Sequence, residues 1–176
     1  NGDSGLCGCK HRLFDTVEVS VFLNLLRIID NKRQDVPLLS VMRSPIGKFR
    51  IEELIQIRTV AEKKSFFEAL EKYSQEGEDL PLKNKCASFL ERLAEWKEES
   101  RYMQLEAFIW KLFMDTGYYD YVGAMPGGVQ RQANLRMLLN RAKQFQATSF
   151  KGLFNFIQFI DKLKKSSGDM GAANVL

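Results

Sequence analysis

The stretch that most constrains this chain runs from Phe150 to Leu163. Set on a helix at roughly 100° per residue, Phe150, Leu153, Phe154, Phe156, Ile157, Phe159, Ile160 and Leu163 cover most of the circumference. Only a strip at Lys151, Asn155, Gln158 and Lys162 stays polar. A helix that apolar is normally enclosed by other helices. No strand of comparable apolarity occurs in the chain, so the expectation is an all-α protein with this segment as its core.

The rest of the chain reads as helices that fit around such a core. Asp15-Thr16-Val17-Glu18 resembles a capping box, opening a helix that buries Val17, Val21, Phe22, Leu25, Ile28 and Ile29. Asp35 is placed to cap a short helix that tolerates Pro37 in its first turn and ends where Ser44 precedes Pro45. Gly47-Lys48 turns the chain into a third helix carrying Ile51, Leu54, Ile55 and Val60. Ser65-Phe-Phe-Glu68 is a cleaner capping box, and Gly77 closes the helix it starts. The longest amphipathic run follows Pro81 and buries Leu82, Cys86, Phe89, Leu90, Leu93 and Trp96. A further helix through Leu105, Phe108, Ile109, Leu112 and Phe113 ends at Gly117. A basic helix from Val129 to Phe145 buries Leu135, Leu138, Leu139, Ala142 and Phe145. The predicted architecture is a single bundle of about eight helices, residues 14–165. Residues 1–13 are read as a linker or an appended segment, and 166–176 as a flexible tail.

A chain of 176 residues has room for one such core and not for two. Its net charge of +4 is unevenly spread. Between Tyr121 and Ile160 lie Arg131, Arg136, Arg141, Lys143 and Lys151, with no Asp or Glu among them. A one-signed stretch favours an anionic partner, whereas its plain alternative is a solvated flank that binds nothing in particular. Just before it comes a tyrosine cluster, Tyr118, Tyr119 and Tyr121, followed by the turn Met125-Pro126-Gly127-Gly128.

Catalytic patterns are missing. Gly47-Lys48, the one candidate for a phosphate-cradling loop, has Met42 where the first glycine belongs and Phe49 where a hydroxyl should hold magnesium. There is no Gly-x-Ser-x-Gly elbow, and the lone His11 is a poor general base. Cys7, Cys9 and His11 give three metal ligands in five residues, but a closed zinc site needs a fourth, and Cys86 sits on an apolar helix face. No metal site is therefore expected. Asp79 with Glu95-Trp96-Lys97 imitates a nuclease motif, yet that motif works on a strand, and on a helix Glu95 and Lys97 point apart. Three cysteines, the lack of a spanning apolar run of roughly 20 residues and a start without the charged-then-apolar pattern of a secretory signal suggest a cytoplasmic setting with no membrane partner.

Several strings carry a resemblance: Phe14-Asp-Thr-Val-Glu-Val19, Leu25-Leu-Arg-Ile-Ile-Asp-Asn31, Arg43-Ser-Pro-Ile46, and Thr116-Gly-Tyr-Tyr-Asp-Tyr-Val-Gly-Ala-Met-Pro-Gly-Gly-Val-Gln-Arg-Gln-Ala-Asn-Leu-Arg136. They resemble the AddA subunit of bacterial AddAB helicase–nucleases, within the UvrD-like superfamily-one helicases, and the likeness runs from Phe14 to about Ala173. The resemblance implies a fragment: the helical 2B domain, an insertion within the second motor domain. It implies a parent that is an ATP-dependent DNA helicase and exonuclease in double-strand break repair and recombination. ATP and Mg would belong to the motor domains, leaving no cofactor and no catalytic residue here. In UvrD relatives a Pro-x-x-Gly-Ile-Gly-like turn approaches duplex phosphates. Here Ser44-Pro45-Ile46-Gly47-Lys48-Phe49 keeps one glycine, with Lys48 and Arg50 as substitute phosphate ligands.

Two readings follow. In the first, Lys48, Arg50, Arg136, Arg141 and Lys143 touch the phosphates of duplex DNA without reading sequence. In the second, Tyr118, Tyr119 and Tyr121 dock the domain on the motor domains of its parent or on an AddB-like subunit, without DNA contact.

Overall fold

The computed structural model describes residues 13–173, with side chains placed for residues 13–167. The segment holding Cys7, Cys9 and His11 lies outside them. Within the described residues, a 3-10 turn at Leu13–Asp15 is followed by nine α-helices: α1 Val17–Asp30, α2 Asp35–Arg43, α3 Ile51–Thr59, α4 Phe66–Glu76, α5 Leu80–Tyr102, α6 Leu105–Thr116, α7 Tyr118–Gly123, α8 Gly128–Gln146 and α9 Leu153–Ala173. No strand occurs among the described residues, and the all-α expectation holds. The helix beyond the expected eight is α7, a single turn and a half made from the tyrosine cluster. None of these helices is long and apolar enough to cross a membrane.

The enclosed helix is α1, not the segment ending at Leu163. α1 packs against α2, α5, α8, α9 and the 3-10 turn. Val19, Phe22, Leu23, Leu25, Leu26, Ile28 and Ile29 are all buried, and Glu18 with them. Its least covered side carries Ser20, Asn24 and Arg27, all partly buried, and Val17, 68% exposed. α9 instead lies along the outside of α1. It buries Phe156 and Ile160 but leaves Phe154 57% exposed, and Phe150 precedes the helix at 65% exposed. It also continues beyond Lys165 to Ala173. The phenylalanine-rich rod is therefore a side wall of the bundle. Periodicity reports how much of a helix is apolar; it does not report how many neighbours arrive to cover it.

Local chemistry explains most of the boundaries. Ser65 Oγ accepts from the Glu68 amide, and the Glu68 carboxylate accepts from the Ser65 amide at 3.1 Å, so the second capping box is real. Asp79 caps α5 by accepting from the Leu82 amide at 3.2 Å. Gly117 ends α6 in the left-handed region at φ 63°, which a side chain would disfavour. Asp35 does not cap its own helix. Its carboxylate accepts from the Phe66 amide at 2.9 Å, tying α2 to the first turn of α4. In α3 the buried pair is Leu54 and Ile57, while Ile51 and Ile55 are exposed.

Candidate nucleic-acid interface

The first expected capping box is a different device. Thr16 makes no cap bond, its hydroxyl donating back to the Leu13 carbonyl at 2.8 Å. Glu18 points into the bundle and is 3% exposed. Its Oε2 accepts from Arg131 Nη1 at 2.9 Å and its Oε1 from Asn134 Nδ2 at 2.7 Å, while its backbone carbonyl accepts from the Tyr118 hydroxyl at 3.0 Å. Arg131 Nε also donates to the Pro126 carbonyl at 3.0 Å. Glu18 thus joins α1 to α8 through its carboxylate, to α7 through its backbone carbonyl, and, by way of Arg131, to the turn between them. Burial, with the Glu18 charge behind it, pushes the Tyr118 hydroxyl well above its ordinary pKa.

This arrangement removes Arg131 from the basic stretch as a free charge. Of the cations that remain on α8, Arg136 and Lys143 are exposed. Arg136 and Lys143 are seven residues apart and share the outer ridge, and Arg136 Nη1 donates to the Tyr119 hydroxyl at 2.6 Å. Arg141 lies on another flank, half-buried, donating to Gln144 Oε1 at 3.2 Å. Among the described residues Lys143 has no hydrogen-bond or ion-pair partner.

The second basic set sits on the α2–α3 turn. Ser44 ends α2, its hydroxyl donating to the Val41 carbonyl and accepting from the Ile46 amide. A Cβ on Gly47 would fall 2.5 Å from Met42 Cα, so only glycine lets the turn fold back on α2. Lys48 follows at φ 60°, a conformation a lysine adopts at a cost, with its side chain exposed. Lys85 of α5 stabilises that shape: its Nζ donates to the Lys48 carbonyl at 2.6 Å and to Glu53 Oε2 at 2.8 Å. Burial alone would raise the Glu53 pKa, but the Lys85 ammonium and the Arg50 amide hold it below the usual range. Arg50 reaches Glu53 only at 3.5 Å, with its side chain 73% exposed, so it is in effect an exposed cation. This turn does not fit a nucleotide: Gly47 is closed against its own helix, and Phe49 is buried against Phe89 where a metal-binding hydroxyl would be needed.

The turn therefore presents Lys48 and Arg50 together, and the ridge of α8 presents Arg136 and Lys143. No hydrogen bond or ion pair among the described residues joins the two sets. α2 and α3 pack on α1 and α4, whereas α8 packs on α1, α6 and α7. The three tyrosines separate as well. Tyr118 is a core residue, Tyr119 is half-buried beneath Arg136, and Tyr121 is 50% exposed. Beside Tyr119 stands Trp110 of α6, ring centroids 5.6 Å apart and 42% exposed, with Met114 one turn on. Sequence reading passed over Trp110 because it falls off the apolar stripe of α6; an aromatic outside its stripe was the available signal.

The nuclease-like set is dispersed. Trp96 is buried and donates to Asp115 Oδ2 at 3.1 Å, Lys97 Nζ donates to the Asp30 carbonyl at 2.8 Å, and Glu95 faces solvent. Among the described residues no cluster of His, Cys, Asp and Glu is arranged to hold a metal.

No family model matches this chain. Curated relatives do. The AddA subunit of the ATP-dependent helicase/nuclease of Alkaliphilus oremlandii (strain OhILAs) is 63% identical over 163 residues. Its counterpart in Alkaliphilus metalliredigens (strain QYMF) is 61% identical over 163 residues, and that in Syntrophomonas wolfei 59% over 169. Each alignment takes in 93% of this chain but only 14% of the relative, so the chain spans a small part of those proteins' length. Nearly the whole chain is thus similar to one stretch of the AddA subunit of ATP-dependent helicase/nucleases, the same kind of protein that its residue strings resemble.

Proposed function

We propose that this chain is the accessory 2B domain of an AddA-type protein, where it contacts duplex DNA through backbone phosphates. The parent would be an ATP-dependent DNA helicase and exonuclease serving double-strand break repair and recombination in the cytoplasm. ATP and Mg would be bound by motor domains beyond this chain, which contributes no catalytic group. The similarity to AddA over 93% of the chain carries this reading. It is supported by the exposed cations Lys48, Arg50, Arg136 and Lys143, arranged without any base-reading helix pattern. Arg141 contributes less, because most of its surface is covered. Binding of this kind is weak and steep in salt, log affinity falling by about 0.9 per phosphate neutralised for each decade of salt. Titrating a labelled duplex at two salt concentrations tests it, and no binding at low salt overturns it.

A second reading has its own observation. Trp110, Met114 and Tyr121 are large apolar side chains left open beside Tyr119 and Arg136, a mixture typical of protein interfaces. In that reading the patch docks on the parent's motor domains or on an AddB-like subunit. Trp110→Ala and Tyr121→Ala would then weaken assembly while leaving duplex affinity and melting temperature close to those of the unchanged chain.

A further inference from the structure

At one end of the bundle the α5–α6 connection meets the α8–α9 connection around a cavity of about 310 Å³. Its buried floor includes Phe108 and Phe145, and two exposed aromatic side chains stand at its rim, Tyr102 at the end of α5 and Phe150 just before α9, 71% and 65% exposed. Two cations line it as well. Arg101 is held only by a pair with Glu98 in which both side chains are about two-thirds exposed, a pairing that an incoming anion can replace. Lys151 Nζ donates to the Gln146 carbonyl at 3.2 Å, fixing the ammonium at the rim while leaving it solvated. Gln104 and Gln146 supply amide groups to the same lining, and Gln146 is already ordered by accepting from the Glu106 amide at 2.6 Å.

Open aromatic rings are costly to leave in water and rarely accumulate around a cavity without a ligand face to cover. Rings combined with cations and amides match one chemistry well: an unstacked nucleobase, its π-face on an aromatic side chain and its flanking phosphates on the cations. Duplex DNA fits poorly here, since its bases are stacked internally and offer no face to Tyr102 or Phe150. A volume near the lower end of ordinary ligand pockets suits one base rather than a folded partner. We infer that the Tyr102–Phe150 cavity is a single-stranded DNA contact, taking an unstacked base on its aromatic rings and the adjoining phosphates on Arg101 and Lys151. This site shares no residue with the duplex-facing cations and does not depend on them.

The test is a fluorescence-anisotropy titration of the purified chain with labelled oligodeoxythymidylate at low salt, with an oligouridylate arm and a duplex arm. The expected result is saturable binding of the deoxy oligomer, weakened about tenfold by Tyr102→Ala or Phe150→Ala, as loss of one stacked base implies. Arg101→Ala or Lys151→Ala should each reduce the salt slope by about 0.7. All four side chains are exposed, so unaltered melting curves separate these effects from misfolding. The doubly substituted chain Arg136→Ala/Lys143→Ala should keep its single-strand affinity while losing duplex affinity, so the two proposals fail separately. Three results would overturn the inference: no single-strand binding at low salt, binding indifferent to Tyr102 and Phe150, or tighter binding of the uridylate oligomer. So would a chain that ignores both oligomers but loses association with the remainder of its parent protein when these two rings are removed, which would make the cavity a protein interface.

Discussion

Glu18 shows how a single carboxylate can organise distant parts of a chain. It is enclosed, yet both of its oxygens and its carbonyl are matched by donors from Arg131, Asn134 and Tyr118. Such a group is stable only while all its partners remain, because an unpaired buried charge is far costlier than a neutral gap. Glu18→Gln keeps the shape but removes the charge facing Arg131, whose side chain is 30% exposed and can partly recover water. We expect it to cost about 1–3 kcal/mol in chemical denaturation, with duplex affinity unchanged, since Arg131 is not among the free cations. Gly47→Ala should act through shape alone. The added Cβ would press on Met42 backbone atoms, shifting the turn and lowering the melting temperature, and here duplex affinity should fall with it because Lys48 moves.

At the scale of helices, α1 and α9 exchange the roles their apolar content suggests. Phe22 and Leu26 of α1 are fully buried, so Phe22→Ala should cost about 3–5 kcal/mol. Phe154→Ala on α9 should stay within about 0.5 kcal/mol, being a surface change. Urea unfolding of the two variants measures the difference. The two helices are joined by Arg27, whose guanidinium donates to both carboxylate oxygens of Asp161, at 2.6 and 3.0 Å. That hydrogen bond is the main reason Asp161 titrates below its ordinary 3.8. A depressed carboxylate stabilises the fold above its unfolded pKa and loses that contribution as pH falls through the folded one. Asp161→Asn should therefore be less stable than the unchanged chain at neutral pH, by up to about 1 kcal/mol for so accessible a pair. Melting curves of the two should converge as pH falls below the ordinary carboxylate range and the folded-state carboxyl takes up its proton. What was legible in the sequence was local: the Ser65–Glu68 box, Gly77, Gly117 and the apolar faces of α4, α5 and α8 follow from neighbours a few residues apart. What was not legible was long-range. Glu18 looks like a cap because its true partners lie more than a hundred residues away, and Asp35 looks like a cap for its own helix because Phe66 is out of view. The cation set was readable as a charge imbalance, but only the folded chain reveals that Arg131 is spent inside and that Trp110 stands open.

For the molecule as a whole, the free cations divide between the α2–α3 turn and the ridge of α8. If both engage phosphates, Lys48→Ala/Arg50→Ala and Arg136→Ala/Lys143→Ala should each reduce the salt slope of duplex binding by about 1.8, and all four together by about twice that. A slope altered by only one pair would restrict the duplex-facing surface to that side. The central place of α1 has a further consequence for biogenesis. Of the nine helices described, α1 leaves the ribosome first, whereas α9, which covers part of it, follows about 120 residues later. At translation rates of roughly 5–20 residues per second, a delay of about 6–25 s separates the two. Throughout that interval the nascent bundle carries a bare hydrophobic seam, and a holdase that recognises such a seam would find it on α1.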